Sequence, residues 1–344
     1  MNNNGYELIY LTGFSQGGTT LLMSLLDYHP DLLVYPDEPA FGRLFKRAPN
    51  YKSPRHIAAD FLFGTPNPIH LASEAGTKNI KGKKFPAATE NEFARIGTVL
   101  DQNWIERKKL RGIPENEFDH AGFFKKYHGC LIKALIENRE ITPKMAVTFA
   151  FEALENAYPA AARGRRIRTF KGPLSGVSVT KLDWFRTHFK GAIVFIYRHP
   201  HARLYSQILH FRQKGRSQCA PRLRESFLGF VRLCIHNARE QNEAQKIAKL
   251  PYIISINYED LVNDCEKTMK NLCRQLDIPF NEIVLKPTKL GIAVKNPTDR
   301  TGGDGAVSNA SLYKYKKGLT FWEKMIFSII LAGSRPYFMF FTQK

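Results

Sequence analysis

The chain has 344 residues and a formal charge of +20, from 51 Lys and Arg against 31 Asp and Glu. Hydrophobic residues make up 43%, enough for a substantial core, which excludes global disorder. The positive excess favours an anionic partner: nucleic acid, an acidic membrane surface, a polyanionic substrate or a phosphorylated cosubstrate.

In chain order, "ELIYLTG" (7–13) is a short apolar run closed by glycine and predicts a buried strand. "TLLMSLLDYH" (20–29) predicts a helix that ends before Pro30. Between them lies "GFSQGGTT" (13–20), which has the spacing G-x-x-x-x-G-K-[ST] except that Thr19 replaces the lysine. A glycine-rich turn between strand and helix presents unpaired backbone N–H groups and a positive dipole end to an oxyanion. Thr19 and Thr20 add hydroxyls. Without the lysine a nucleoside triphosphate is poorly served, whereas a shorter 5′ anionic group is still held. The bland alternative is a tight turn that binds nothing.

Residues 40–165 are richer in helical patterns, among them "EFARIGTVLDQNWIERKKL" and "AGFFKKYHGCLIKALIENR". They predict a helical insertion between strands, suited to shaping a second-substrate cleft. "IRTFKGPLSG" (167–176) predicts a short strand breaking at Gly172-Pro173, and "GAIVFIYRHPHARLYSQILHF" (191–211) a stronger strand, turn and helix. "YIISINYEDLV" (252–262) adds another strand, and "DCEKTMKNLCRQLDI" (264–278) another helix. Strands alternating with helices predict an α/β fold: a P-loop-like, three-layer arrangement with a central parallel sheet flanked by helices. "KNPTDRTGGDGAVSNAS" (295–311) predicts a long loop, either a lid or a tethered linker. The organisation expected is one domain over 1–325, with the insertion at about 40–165 and an apolar tail over 326–344.

Arg198 ends a predicted strand and Ser206 lies eight residues on, in the next helix. An arginine fork and a hydroxyl so placed can clasp a phosphate. Taken alone, the arginine could equally pair with a surface carboxylate.

Together these stretches resemble the sulfotransferases that use 3′-phosphoadenosine 5′-phosphosulfate (PAPS). The family loop G-x-P-R-S-G-T-[ST] corresponds to "GFSQGGTT", and its strand-end arginine with a serine eight residues downstream to Arg198 and Ser206 in "YRHPHARLYS". Its HPD corresponds to His29-Pro30-Asp31, and its R-Y-E-D-L to "NYEDLV" (257–262) followed by "LDIPFNEIVL". The match runs in order from about residue 8 to about 285, covering the sheet well and the insertion poorly. The resemblance implies that Ser15, Gln16, Gly17, Gly18, Thr19 and Thr20 bind the 5′-phosphosulfate, and that Arg198 and Ser206 bind the 3′-phosphate. Three loop positions depart from the family text: Ser15 for proline, Gln16 for a basic residue and Gly17 for serine.

Sulfonate transfer to a hydroxyl needs a base for the acceptor's proton and positive charge near the leaving oxygen. Glu38, in "VYPDEPAF", follows the first helix where the chain has returned to the loop's face. In the protein-tyrosine and some carbohydrate sulfotransferases that the chain resembles, a glutamate of this segment is the base, and that role carries over to Glu38, with Asp37 as the near alternative. Lys171, in "RTFKGP", resembles the family's K-x-P lysine and is the candidate cation at the bridging oxygen. His29, His199 and His201 lie near the motifs, with His29 expected to pack or cap the first helix. Ser308, Lys314 and Lys316 are weaker candidates for cofactor contacts.

The expected function is therefore transfer of a sulfonate from PAPS to a hydroxyl acceptor (carbohydrate, lipid or small molecule), with no metal. A nucleotide-binding protein without catalysis and a P-loop small-molecule kinase are the alternatives. The basic clusters "KNIKGKK" (78–84), "RKKLR" (107–111) and "RGRRIR" (163–168) could hold an anionic saccharide or could simply be solvated. Nucleic acid is not expected, because no recognition-helix, zinc-finger or RNP pattern occurs. A membrane-surface contact through the aromatic stretch Tyr337–Phe341 stays open. The five cysteines, Cys130, Cys219, Cys234, Cys265 and Cys273, form no C-x-x-C pair, and no leader is visible, so a cytoplasmic location is expected.

Overall fold

The computed structural model describes residues 5–36, 113, 116–137, 142–162, 167–173, 179–213, 221–294, 307, 309 and 312–334. Strand β1 (Leu8–Gly13) leads into helix α1 (Thr19–Leu26) and strand β2 (Leu32–Val34). Among the described residues, three helices precede the next strand: α2 (His120–Glu137), α3 (Pro143–Ala157) and α4 (Pro159–Ala162). Then follow β3 (Ile167–Pro173), α5 (Val179–His188), β4 (Gly191–Tyr197), α6 (Pro200–Gln213), α7 (Phe227–Ala248) and β5 (Ile253–Asn257). Helices α8 (Tyr258–Asn263) and α9 (Cys265–Leu276), a hairpin of β6 (Thr288–Lys289) and β7 (Ile292–Ala293), and helices α10 (Lys314–Gly318) and α11 (Phe321–Gly333) complete the described chain.

The main sheet has five strands in the order β2-β3-β1-β4-β5, all parallel. β1 is buried at every position, as a central parallel strand covered on both faces must be. Its side chains alternate between two cores. Leu8 and Tyr10 pack with Phe170, Phe185 and the aromatic residues of α2 and α3. Ile9 and Leu11 pack with α1, Val194, Ile196 and the apolar face of α9. A third cluster joins α6, α7 and α11 through Leu204, Phe230, Cys234 and Phe327.

Of the helical insertion, α2 and α3 stand where the sequence places helices, whereas the predicted helix around 92–110 lies outside the described residues. So do most of loop 295–311, Ser308 included, and the basic clusters 78–84 and 107–111. Residue 326, the expected start of the tail, falls inside α11, and 335–344 lie outside the described residues. Among the described residues no helix is long and apolar enough to cross a membrane.

Candidate functional site

Register brings the motifs to one edge. Leu11 of β1 lies opposite both Lys171 of β3 and Val194 of β4, so the carboxyl ends of the three central strands open side by side. β1 sits between β3 and β4, and the chain leaves it toward one side and returns on the other. That is where open α/β sheets hold their ligands.

The glycine-rich stretch is a tight turn feeding α1. Gly17 N–H donates to Phe14 C=O at 2.8 Å, and Gln16 is held at φ 64°. Gly18 caps α1 with φ 107°, a left-handed conformation that glycine takes without steric cost. A Cβ there would stand 2.3 Å from Tyr258 Cδ2, so glycine is also required by the closeness of α8. No side chain caps α1, which leaves its first N–H groups directed at the turn's mouth.

Lys171 closes one side. It is 5% exposed, and its Nζ donates to Thr20 Oγ1 at 2.9 Å across from β3. The ammonium thus reaches the helix N-terminus from the neighbouring strand, supplying from outside the loop a cation that the loop lacks.

Arg198 closes the other side. Directly after β4, its Nη1 donates to Ser206 Oγ at 3.1 Å, the pairing the sequence spacing calls for. Its guanidinium lies 4.3 Å from the ring centre of Tyr258, a cation–π contact. Its Nε is buried with no hydrogen-bond partner. A buried arginine with an unfilled donor beside a hydroxyl is prepared for an anion.

Tyr258 is placed by a cap. Asn257 Oδ1 accepts from Asp260 N–H at 3.1 Å, so β5 stops there and Tyr258 becomes the first residue of α8. Such a cap contributes about 1 kcal/mol. Glu259, next on α8, accepts the N–H of His199 at 3.1 Å and 3.3 Å through its two carboxylate oxygens. Burial pushes the Glu259 carboxyl up, a shift opposed by that hydrogen bond.

A second layer supports the clasp. Arg203, 2% exposed on α6, donates to Glu240 Oε2 at 2.8 Å and to the Asn237 carbonyl at 2.8 Å, both on α7. Its guanidinium lies 5.4 Å from the ring centre of Phe14, in the loop. Burial would push Glu240 up, but His236 and Arg203 outweigh it and hold the carboxyl below its usual range. Phe14, Gly17, Arg198, Arg203 and Gln241 line a small cavity between loop and helices.

The histidines serve packing roles in these contacts. His29 is fully buried; its Nε2 lies 2.9 Å from the Pro279 carbonyl and its Nδ1 accepts from Asp31 N–H, so it fastens the turn after α1. His199 stacks on Tyr315 of α10, with ring centres 5.1 Å apart. Desolvation against that ring, aided by the charges of His201, Lys316 and Arg198, pushes its pKa down to about 4. Lys316 thus stands among the charges beside the clasp, and Lys314 opens the same short helix.

Lys171 and Thr20 meet, and Arg198 and Ser206 meet, as the motifs require. Asp37 and Glu38 lie outside the described residues. Tyr258, Glu259, Phe14 and the Arg203–Glu240 pair carry no role in the sequence reading. Only the position of "YED" directly after a strand could have pointed to the first two.

Comparison with known proteins agrees with this geometry. A model of the sulfotransferase family, described simply as "Sulfotransferase family", matches residues 9–282, from β1 through β5 and beyond. The sulfotransferase domain from the curacin biosynthetic pathway is similar in fold, with a TM-score of 0.50 at 14% identity over 94% of this chain and 96% of that one. The sulfotransferase domain of the Synechococcus PCC 7002 olefin synthase gives 0.44 at 17% identity, over 95% of this chain and 93% of that one. A local likeness links the chain to large ribosomal subunit protein uL18 of Francisella tularensis subsp. tularensis (strain WY96-3418). It is 31% identical over 87 residues, 25% of this chain and 68% of that protein. The uL18 likeness spans a quarter of the chain, while the sulfotransferase match spans the main sheet and every residue of the two clasps. The chain belongs to the sulfotransferase family.

Proposed function

We propose that this protein transfers a sulfonate group from PAPS to a hydroxyl of a carbohydrate, lipid or small-molecule acceptor. The observation that carries the reading is the Arg198–Ser206 clasp, 3.1 Å across, opening on the same sheet edge as the lysine-free phosphate turn. Two anion-binding subsites on one edge suit a nucleotide with phosphate at both its 3′ and 5′ ends.

In this reading Ser15, Gln16, Gly17, Gly18, Thr19 and Thr20 hold the 5′-phosphosulfate, and Arg198 and Ser206 hold the 3′-phosphate. The acceptor oxygen attacks sulfur in line. An S–O bond forms, the bond from sulfur to the bridging phosphate oxygen breaks, and 3′-phosphoadenosine 5′-phosphate departs. Lys171 stabilises the charge that grows on the bridging oxygen. Glu38 takes the acceptor's proton. Support for Glu38 comes from the strand before it: β2 runs parallel to β3, Val34 faces Thr169, and the chain leaves the sheet at the carboxyl edge on the Lys171 side. No metal takes part. One domain running through the end of α11 serves the reaction, since residue 325 lies inside that helix and Phe327 packs with α6 and α7, and the insertion forms the acceptor's side.

The test is transfer of labelled sulfonate from PAPS to a panel of saccharides, phenols, lipids and tyrosine peptides, in the presence of EDTA. The wild type transfers label. Glu38→Gln loses about 10²–10⁴-fold in kcat while keeping nucleotide affinity. Turnover near the parent level in that variant would place the base elsewhere. Tight nucleotide binding with no transfer to any acceptor would favour an inert binder, the reading that the neutral Gln16 favours. The uL18 likeness and the charge of +20 favour a second reading, association with the large ribosomal subunit. Co-sedimentation with that subunit, with no response to PAPS, would support it.

A further inference from the structure

Large apolar side chains that stand exposed are few among the described residues, and they are concentrated. All but Tyr28 lie on one corner of the molecule built by α7, α10 and α11. Phe227 and Leu228 open α7, and Phe321 and Trp322 open α11, the last two 70% and 59% exposed. Ile329 continues the same outward face two turns on.

The two helix starts belong to one surface. Arg222, just before α7, donates from Nε and Nη2 to the Glu323 carboxylate of α11 at 2.9 Å each, and also to the Gly318 carbonyl. Toward their far ends, Asn242 of α7 donates to the Ser334 carbonyl at 2.6 Å. The helices therefore run side by side in the same direction. Glu323 turns inward, 1% exposed, and closes a capping box with Thr320. What α11 shows outward is Phe321, Trp322 and Ile329.

The rim is cationic. Arg224 and Arg232 lie beside the start of α7, and Lys314, Lys316, Lys317 and Lys324 beside the start of α11. Over 221–235 and 312–334 the only carboxylates are Glu225 and Glu323, and each is bound to an arginine. A second copy docking through this face would set like charge against like charge. A Phe-Trp pair ringed by lysines and arginines matches the headgroup boundary of an acidic bilayer, where aromatic rings enter the interface and each cation near the surface adds attraction.

We propose that this corner docks the protein on the surface of a membrane containing anionic phospholipid, with Phe321 and Trp322 entering the headgroup region. The docking is peripheral. The proposal stands apart from sulfonate transfer, because its readout needs neither PAPS nor an acceptor.

The experiment is sedimentation of the full chain with vesicles of phosphatidylcholine alone or mixed with phosphatidylglycerol, at low and high salt, with tryptophan emission recorded. The protein sediments with the mixed vesicles, its emission shifts to the blue, and salt weakens binding. Phe321→Ser/Trp322→Ser lowers the apparent affinity by roughly tenfold or more. That variant keeps the melting temperature and the nucleotide affinity of the parent, since both side chains are exposed. Failure to bind mixed vesicles overturns the proposal, as does equal binding to phosphatidylcholine alone or undiminished binding by the double variant. A dimer in light scattering that the double variant dissociates would instead assign the face to a second copy.

Discussion

Arg198 gathers the most chemistry of any single residue. It is 9% exposed, bonded to Ser206, set over the ring of Tyr258, and left with an unfilled Nε donor. The Glu259 carboxylate lies within electrostatic reach of the guanidinium without forming an ion pair with it, so an anion bound in place offsets the desolvation cost that is left. Its neighbour His199 reports on that anion. With a pKa near 4, His199 is neutral where an unfolded histidine begins to charge, so its contribution to stability is intact above about pH 6.5 and falls as pH drops toward 4. A phosphate at Arg198 cancels local positive charge and raises the His199 pKa toward the ordinary value. Imidazole NMR titration with and without 3′-phosphoadenosine 5′-phosphate checks this. An unmoved His199 would put the phosphate elsewhere.

At the scale of elements, α6 carries both the clasp and its support. Ser206 faces Arg198 while Arg203 reaches the other way, to Glu240 and Asn237 of α7 and toward Phe14 of the loop. Arg203 thereby fixes helix and loop to one another. Arg203→Met leaves Glu240 with only the half-exposed His236 opposite it and costs at most about 3–5 kcal/mol of stability. Calorimetric melting reads the loss. Replacing Glu240 with leucine in the same chain recovers much of it, and no recovery would mean that the pair does not bear on the packing. The sequence shows α6 clearly, through "HARLYSQILHF", but gives no sign of this pair. A buried Arg–Glu contact thirty-seven positions apart has no local pattern, and α7, with its charged residues, looks solvated until Glu240 is seen paired with Arg203 of α6.

At the scale of the whole molecule, the parallel sheet is legible in the apolar runs "ELIYL" and "AIVFIY", because strands covered on both faces need no alternation. The strand order is not, since pairing β1 with both β3 and β4 joins segments more than 150 residues apart. Thr20 at a helix start, and Arg198 at a strand end with Ser206 eight residues on, are legible from spacing, whereas Lys171 is legible only through its resemblance to the family's K-x-P lysine. Tyr258 is not, because nothing local says that α8 returns beneath Gly18 and Arg198. The missing lysine of the phosphate turn also takes its meaning at this scale. Lys171 reaches Thr20 from the next strand, so a cation meets the turn without belonging to it.

In the proposed function the two clasps hold the two phosphorylated ends of one nucleotide. The most direct measurement is isothermal titration of 3′-phosphoadenosine 5′-phosphate and of adenosine 5′-phosphate into the wild type and Arg198→Ala. The wild type is expected to prefer the nucleotide with the 3′-phosphate by about 2–3 kcal/mol, roughly 30- to 150-fold, and Arg198→Ala to erase the preference. Equal affinity of the wild type for both nucleotides, or a preference that survives in Arg198→Ala, would contradict it.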